Sequence, residues 1–253
     1  MRGQMKHLKL AAIALSFSFL AGCATSGNPI DPYEGFNRSS YEITDAVDKA
    51  VLRPVAVTYQ EWTPRPIRNS FSRFFGNLAE PLTIINDLLQ FKLVQGASDT
   101  GRFLVNSTIG VLGLFDPASD FGLNKHSEDF GQTLAYWGYE NSSFLFIPLL
   151  GPTTVRDGLG TVAGFALQTD PVGHISDTVP RVSTQVVRTV NLRSRLIAQE
   201  SLLEGAIDPY LLLRDAWLQQ RVFSIYDGDV PEDDDEEAWL DDESDEELEA
   251  LGQ

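Results

Sequence analysis

Residues 67–89 read IRNSFSRFFGNLAEPLTIINDLL, and this stretch decides the fold class. In its first half the apolar side chains recur every three or four positions, at Ile67, Phe71, Phe74, Phe75 and Leu78. The second half repeats the pattern at Leu82, Ile85, Leu88 and Leu89. This spacing predicts helices, because positions three and four apart share one helical face. Glu80-Pro81 is predicted to restart the chain between two helices, since proline cannot donate to the helical ladder.

The rest of the chain carries the same helical signal on both sides of this stretch. A first helix is predicted from Asp31-Pro32 to a break at Pro54, because Asp can cap a helix and Pro suits its first turn. Further helices are predicted at residues 97–109, 128–137, 153–167, 181–204 and 208–226. Residues 144–150 form a short apolar run that could be a strand or a buried loop. The fold class is therefore mainly α, with one helical domain over residues 31–226.

Three uncharged segments could either fill a core or face lipid tails. They are rich in Gly, Ser and Thr and cover residues 103–115, 141–155 and 158–169. No run of 18 apolar residues follows the N-terminal segment, so no conventional spanning helix is predicted. Gly160 and Gly164, four residues apart, are expected to let two helices approach closely.

The N-terminus has the pattern of a secretory signal peptide over residues 1–22. Arg2, Lys6 and Lys9 precede the apolar run 10–20, and small residues follow. The sequence Leu20-Ala-Gly-Cys23 resembles the bacterial lipobox, in which the cysteine receives lipid and becomes the mature N-terminus. Residues 23–30 would then be a linker after an acylated Cys23. Ala24, in place of Asp, implies sorting to the outer membrane by resemblance to enteric lipoproteins.

The net charge of −17 is concentrated in residues 227–253. From Asp227 to Glu249 there are 15 acidic residues and no Lys or Arg, so the rest of the chain is nearly neutral. This segment is predicted to be a disordered, solubilising tail, although it could instead steer a basic partner. The absence of a basic cluster argues against nucleic-acid binding, which needs Lys and Arg at the phosphates.

The sequence contains no recognisable catalytic constellation. Only His126 and His174 follow the signal peptide, and no Gly-x-Ser-x-Gly elbow is present. His126, Glu128 and Asp129 match no helix-face ligand set, so no metal is predicted. The glycines at 158–164 have the wrong spacing for a dinucleotide loop. We therefore predict neither an enzyme nor a bound cofactor.

A set of collinear motifs covers residues 23–226 and resembles the MlaA (VacJ) family of outer-membrane phospholipid-transport lipoproteins. The motifs are Asp31-Pro-Tyr-Glu-Gly-Phe-Asn-Arg38, Arg53-Pro-Val-Ala56, Asn77-Leu-Ala-Glu-Pro81, Asn86-Asp-Leu-Leu-Gln90, Arg102-Phe-Leu-Val-Asn-Ser-Thr-Ile-Gly110, Leu114-Phe-Asp-Pro-Ala118, Glu128-Asp-Phe-Gly-Gln-Thr-Leu134, Pro148-Leu-Leu-Gly-Pro152 with Arg156-Asp157, and Asp208-Pro-Tyr210 with Arg214. Leu112 departs from the family pattern, where Gly is expected, and Trp217 stands where Tyr is usual.

The resemblance implies a helical ring in the periplasmic leaflet of the outer membrane, around an amphipathic channel. It also implies removal of phospholipids from the outer leaflet, delivery to the periplasmic carrier MlaC, and association with trimeric porins of the OmpC/OmpF kind. Segments 103–115 and 141–155 have the mixed polarity that a channel wall needs. A non-conducting scaffold lipoprotein that organises porins is the alternative.

The motif residues have two interpretations, lipid contact and structural support. The candidates for contact with lipid or its headgroup are Arg38, Asn77, Arg102, Asn106, Arg156 and Arg214. The four arginines could instead pair with Glu34, Asp99, Asp157 or Asp215, and this interpretation is favoured. Asp31, Asn77, Asp116 and Asp208 are predicted to be helix caps or turn residues. The structural motif residues are Asp31, Pro32, Glu34, Asn37, Glu80, Pro81, Asp116, Pro117, Asp208 and Pro209.

Overall fold

The computed structural model describes residues 28–166 and 171–231. The predicted signal peptide, Cys23 and most of the acidic tail lie outside the described residues. The helices are α1 (Glu34–Val47), α2 (Arg53–Trp62), α3 (Arg65–Leu89), α4 (Leu93–Thr108), α5 (Pro117–Asp120), α6 (Phe130–Tyr136), α7 (Val155–Ala166), α8 (Thr178–Leu196), α9 (Glu200–Glu204) and α10 (Pro209–Ile225). Two strands, β1 (Phe144–Ile147) and β2 (Gly151–Thr154), precede α7. The mainly α fold class is confirmed.

Helix α3 runs without interruption through Pro81, so the predicted restart at Glu80-Pro81 is wrong. Polar contacts to other helices hold the helix on both sides of the proline. On one side the Asn77 Nδ2 donates to the Ser107 Oγ of α4 at 2.9 Å, and on the other the completely buried Asn86 accepts from the Thr133 hydroxyl of α6 at 2.7 Å. These tertiary contacts offset the single backbone hydrogen bond that proline removes.

Pro54 does not break the chain either, because the helical backbone continues across it. A π-helical segment, Asp48–Leu52, joins α1 to α2, and Pro54 lies in the first turn of α2. A wider turn accommodates the proline ring, and proline is tolerated at the start of a helical segment.

The run at residues 144–150 contains a strand, which resolves the alternative left open by the sequence. Strand β1 pairs antiparallel with β2, with Phe144 opposite Thr154 and Ile147 opposite Gly151. Phe144 and Phe146, two residues apart on one face, are buried with Tyr210 of α10 in a small aromatic core. Tyr41 of α1 contacts both Phe146 and Tyr210 edge to face.

Helices α2 and α5 were not predicted, whereas the remaining helices lie close to their predicted positions. The predicted helix at 181–204 is divided into α8, a short 3₁₀ segment at Ile197–Gln199 and α9. The predicted helix at 97–109 begins earlier, at Leu93. Gly160 allows the expected close approach of two helices, since a Cβ there would lie 2.8 Å from the backbone nitrogen of Gly131 in α6.

The turn after α4 contains Leu112 in the left-handed backbone region, at φ 58°. This position is the one where the family pattern has Gly. The exposed side chain contributes little internal packing, and the hydrogen bond from its backbone nitrogen to the Ser107 oxygen would remain in a glycine variant. We expect Leu112→Gly to raise the free energy of unfolding by about 0.5–1 kcal/mol by removing backbone strain.

Thermal unfolding in detergent micelles measures this effect. Leu104→Gly is the matched control, because Leu104 is similarly exposed but lies inside α4. This control is expected to lose about 1 kcal/mol. A Leu112→Gly protein that is destabilised as much as the control would contradict the strain argument.

Candidate functional site

Helix α3 buries polar side chains and exposes apolar ones. Its buried residues are Glu80, Thr83, Asn86 and Asp87, whereas Ile67, Ile85, Leu88 and Leu89 are exposed. An ordinary helix of a water-soluble protein has the opposite arrangement, with its apolar stripe turned to the core. The pattern on α3 therefore indicates an environment outside the protein that favours apolar surface.

Helix α4 has the same inverted arrangement. Its buried residues are Gly96, Asp99, Arg102 and Asn106, whereas Leu93, Val94 and Leu104 are exposed. Gly96 allows α4 to approach α3, since a Cβ there would lie 3.2 Å from the Cβ of Asp87. Among the residues that the structure describes, more polar than hydrophobic side chains are buried.

The three uncharged segments place many of their large apolar side chains on the surface. The exposed residues are Leu104, Ile109, Val111, Leu112, Phe115, Leu149, Leu150, Leu159 and Val162. The alternative in which these residues fill a core is therefore excluded for these side chains. In the described part of the chain, no helix combines the length and the hydropathy that crossing a bilayer requires.

A cavity of about 750 Å³ lies between α6, α7, α8 and α10, and its lining mixes polar and apolar groups. The lining includes Leu82, Asp129, Phe130, Gly131, Asp157, Gly160, Thr161, Gly164, Gln185, Trp217, Gln220 and Arg221. Two of these glycines, Gly131 and Gly160, form the close contact between α6 and α7 described above. The cavity could therefore contact both a polar group and a hydrocarbon chain.

Arg221 holds the wall of this cavity together. Its guanidinium makes paired hydrogen bonds to both carboxylate oxygens of Asp129, at 2.7 Å each, and to those of Asp157, at 2.7 and 3.0 Å. A further bond to the Gln132 Oε1 at 3.1 Å uses the fifth N–H donor. Burial alone would lower the pKa of Arg221, but these carboxylates outweigh it and raise the pKa.

Asp129 has two structural roles at this wall. Its carboxylate accepts a hydrogen bond from the Gln132 backbone nitrogen at 2.9 Å and so caps α6. Burial would raise the pKa of Asp129, but the bonds from Arg221 lower it.

Arg156, which is buried, donates to Asp157 and to the carbonyl oxygens of Tyr139 and Glu140. The wall is thus an ion-pair network of two arginines and two aspartates.

Asp31 is a buried centre of hydrogen bonding and not the helix cap that the sequence predicted. Helix α1 begins at Glu34, and its N-cap Tyr33 makes no side-chain capping bond. The Asp31 carboxylate accepts from the Tyr210 hydroxyl at 2.6 Å, from the Asn37 Nδ2 at 2.7 Å and from Arg214 at 3.3 Å. It therefore joins the start of the fold to α10 across the aromatic core.

The other predicted caps divide into two groups. Asp116 and Asp208 do cap α5 and α10, accepting from Ser119 and from Tyr210 and Leu211 respectively, as predicted. Asn77 does not, because it lies in the middle of α3 and bonds Ser107. Burial would raise the pKa of Asp116, but hydrogen bonds from Ser119, Asn106 and Arg102 lower it to about 2.

Each of the four motif arginines has a carboxylate partner, which supports the structural interpretation. Arg38 pairs with Glu34 and also with Asp208, Arg156 with Asp157, and Arg214 with Asp215 as well as Asp31. The sequence suggested Asp99 as a partner for Arg102. In the structure Arg102 instead donates to both carboxylate oxygens of Asp116. Asp99 instead contacts the His126 Nδ1 at 3.0 Å.

Sequence reasoning missed a group of buried carboxylates between α3 and α4. Asp87 is completely buried, and neither of its carboxylate oxygens has a hydrogen-bond partner among the described residues. Burial, together with the nearby charges of Asp99 and Glu128, raises the pKa of Asp87 to about 7. Burial likewise raises the pKa of Glu80 to about 7. Acidic residues on helices are usually exposed to solvent, so no local sequence pattern identifies these buried carboxylates.

The fold and the site together define a class: helical proteins that rest against a membrane, with apolar outer faces around a polar interior. A model of the MlaA lipoprotein family matches residues 29–224. The intermembrane phospholipid transport system lipoprotein MlaA of Escherichia coli (strain K12) is 33% identical over 232 residues, covering 88% of this chain and 91% of that protein. The chain therefore belongs to the MlaA lipoprotein family.

Two further relatives support this assignment. The lipoprotein of the same description from Haemophilus influenzae is 27% identical over 238 residues, covering 90% of this chain and 94% of that protein. A solved structure from work on the structural basis for maintenance of bacterial outer membrane lipid asymmetry is similar at a TM-score of 0.67 and 30% identity. That match covers 77% of this chain and 98% of the other.

Proposed function

We propose that this protein is an outer-membrane lipoprotein that removes mislocalised phospholipids from the outer leaflet and passes them towards the periplasm. The observation that carries the proposal is the inverted polarity of α3 and α4 beside a cavity of mixed lining. Membership of a family whose E. coli relative is described as part of an intermembrane phospholipid transport system supports it. The proposed arrangement is a ring of helices in the periplasmic leaflet, around a channel that includes the 750 Å³ cavity.

The energetics of moving a phospholipid explain why such a channel is needed. Taking its two acyl chains into water exposes about 30 CH₂ groups, at a cost of roughly 25 kcal/mol. Flipping it through the bilayer instead takes a charged headgroup through hydrocarbon. A passage with polar groups such as Asp129 and Gln220 and apolar groups such as Phe130 and Trp217 lowers both costs.

The outer faces of the helices are proposed to contact two partners. Exposed apolar side chains on α3, α4 and α7 would contact lipid tails and a trimeric porin of the OmpC/OmpF kind. The lipid would leave the cavity for the periplasmic carrier MlaC, which would take it to the inner membrane. The protein performs no covalent chemistry in this scheme and needs no cofactor or metal.

Attachment at the outer membrane is proposed to depend on acylation of Cys23. Two or three acyl chains anchor a protein almost permanently, at ~0.8 kcal/mol per buried CH₂. We expect Cys23→Ala to lose all incorporation of radiolabelled palmitate. The variant should also be depleted from the outer-membrane fraction, whereas the wild type retains both properties. Palmitate that still entered the variant protein would disprove the assignment.

Outer-leaflet phospholipid content tests the transport function directly. An outer-membrane enzyme that acylates lipid A from surface phospholipid serves as the reporter. Deleting the gene should raise lipid A acylation, and restoring the intact gene should reverse the rise. The Cys23→Ala gene should not restore it. No rise after deletion, in a strain whose parent carries the protein at the outer membrane, would favour the scaffold alternative.

A further inference from the structure

A second cavity, of about 250 Å³, lies between α3, α4 and the C-terminal end of α8. It shares no lining residue with the larger cavity, and every residue that lines it is polar or charged. Four of the lining residues are basic: Arg73, Arg102, Lys125 and Arg195. Two are acidic, Glu80 and Asp116, and the others are Asn and Ser.

The floor of this cavity contains a buried donor and a buried acceptor without partners. Arg102, only 4% exposed, donates from its Nη2 to Asp116 and from its Nη1 to the Ser119 hydroxyl and the Leu123 carbonyl oxygen. Its Nε lies 3.8 Å from the Glu80 Oε1, too far for a hydrogen bond. In the part of the chain that the structure describes, neither atom has another partner. A phosphate oxygen would accept from the Arg102 Nε, and the Glu80 carboxyl, whose pKa burial raises to about 7, would donate to the same group in its protonated form.

The rim carries three exposed cations, Arg73, Lys125 and Arg195. No ion pair to any of them occurs among the described residues. The Lys125 Nζ lies directly over α3, where a Cβ on Gly76 would be 2.8 Å from it, so the glycine makes room for the ammonium group. The lining has four basic and two acidic residues, and Asp116 is bound to Arg102, so these cations leave an excess of positive charge that a bound anion would offset.

We propose that this cavity binds a phosphate group, either free or as part of a lipid headgroup. Arginine recognises phosphate oxygens through paired hydrogen bonds, and Lys adds a mobile positive charge. The volume and the wholly polar lining fit a headgroup but not an acyl chain. The inference does not depend on the proposed transport function, because the two cavities have separate linings.

Calorimetric titration of the full-length lipidated protein in phosphate-free neutral detergent tests the site. The probes are inorganic phosphate and dihexanoyl phosphatidylglycerol, with dihexanoylglycerol as the phosphate-free blank. The test variant is R73Q/R195Q. The matched control is R65Q/R181Q, which removes the same charge from exposed arginines outside this cavity. Circular dichroism checks that both variants keep their helix content.

We expect saturable binding by the wild type and the control, and at least tenfold weaker binding by R73Q/R195Q. If both probes bind and each displaces the other, a lipid headgroup is identified as the source of the phosphate. Binding of inorganic phosphate alone would identify free phosphate. Failure of the wild type to bind either probe, or equal weakening in the two variants, would overturn the proposal.

Discussion

Replacing Arg221 with Gln is expected to lower the free energy of unfolding by about 1–3 kcal/mol. The substitution removes the only side chain that bonds both Asp129 and Asp157 among the described residues. Arg156 still reaches Asp157, but Asp129 loses its paired bonds from the guanidinium. The Asp129 side chain is 47% exposed, so water offsets part of the cost of leaving this carboxylate without its cation.

Thermal unfolding followed by circular dichroism, in neutral detergent at pH 7.5, measures this loss. A fall of about 5 °C in the unfolding midpoint corresponds to the expected change for a chain of this size. Arg65→Gln is the control, because it is the same substitution at an exposed arginine that has no carboxylate partner among the described residues. Its midpoint should stay within about 1 °C of the wild type, as for an ordinary surface substitution.

A second variant separates the charge argument from a simple loss of packing. Adding Asp129→Asn to Arg221→Gln removes the charge that the single variant leaves unpaired, whereas Asp157 keeps its bond from the buried Arg156. The double variant should therefore recover more than half of the lost stability, although it contains one more substitution. A double variant that is less stable than Arg221→Gln would show that the Arg221 side chain acts through packing and not through its charge.

The sequence predicted most of the helices, except α2 and α5, but not which of their faces point inwards. On α3 the spacing of Ile67, Ile85 and Leu88 correctly indicated a helix, since periodicity depends only on the 3.6-residue repeat. Periodicity identifies an apolar stripe but does not show whether that stripe faces the protein interior or the surroundings. Here the stripe is exposed, and Asn86 and Asp87 are buried. That inversion could be read only from the packed structure.

Ion pairs were predictable where the partners are neighbours along the chain. Arg38 with Glu34 follows helical spacing, and Arg156 with Asp157 are adjacent. Asp99, three residues earlier on the same helix, was the partner that the sequence suggested for Arg102, whereas Arg102 pairs with Asp116 beyond the end of that helix. Arg221 and Asp129 are 92 residues apart, so no local pattern relates them. Tertiary packing decides such pairs, and a single sequence does not reveal it.

Replacing Asp87 with Asn is expected to stabilise the protein above pH 7 by about 2–4 kcal/mol. The Asp87 carboxyl has an ordinary pKa near 3.8, and the fold raises that pKa to about 7. Between these two values the folded protein holds a proton that the unfolded chain releases. Wild-type stability therefore falls as the pH rises from about 4 to about 7, and the full cost is present above that range. Asn cannot ionise, so the variant avoids this cost.

Unfolding midpoints of both proteins across pH 4–8 test this prediction. The difference between Asp87→Asn and the wild type should be largest at pH 8 and should fall below about 1 kcal/mol at pH 4, where Asp87 is protonated in the folded protein and roughly half protonated in the unfolded chain. Asp120→Asn, at an exposed position, is the control and should show no such pH-dependent gain. A variant that is less stable than the wild type at pH 8 would contradict the argument. It would mean that an ionised Asp87 makes contacts that outweigh its burial and its repulsion from Asp99 and Glu128.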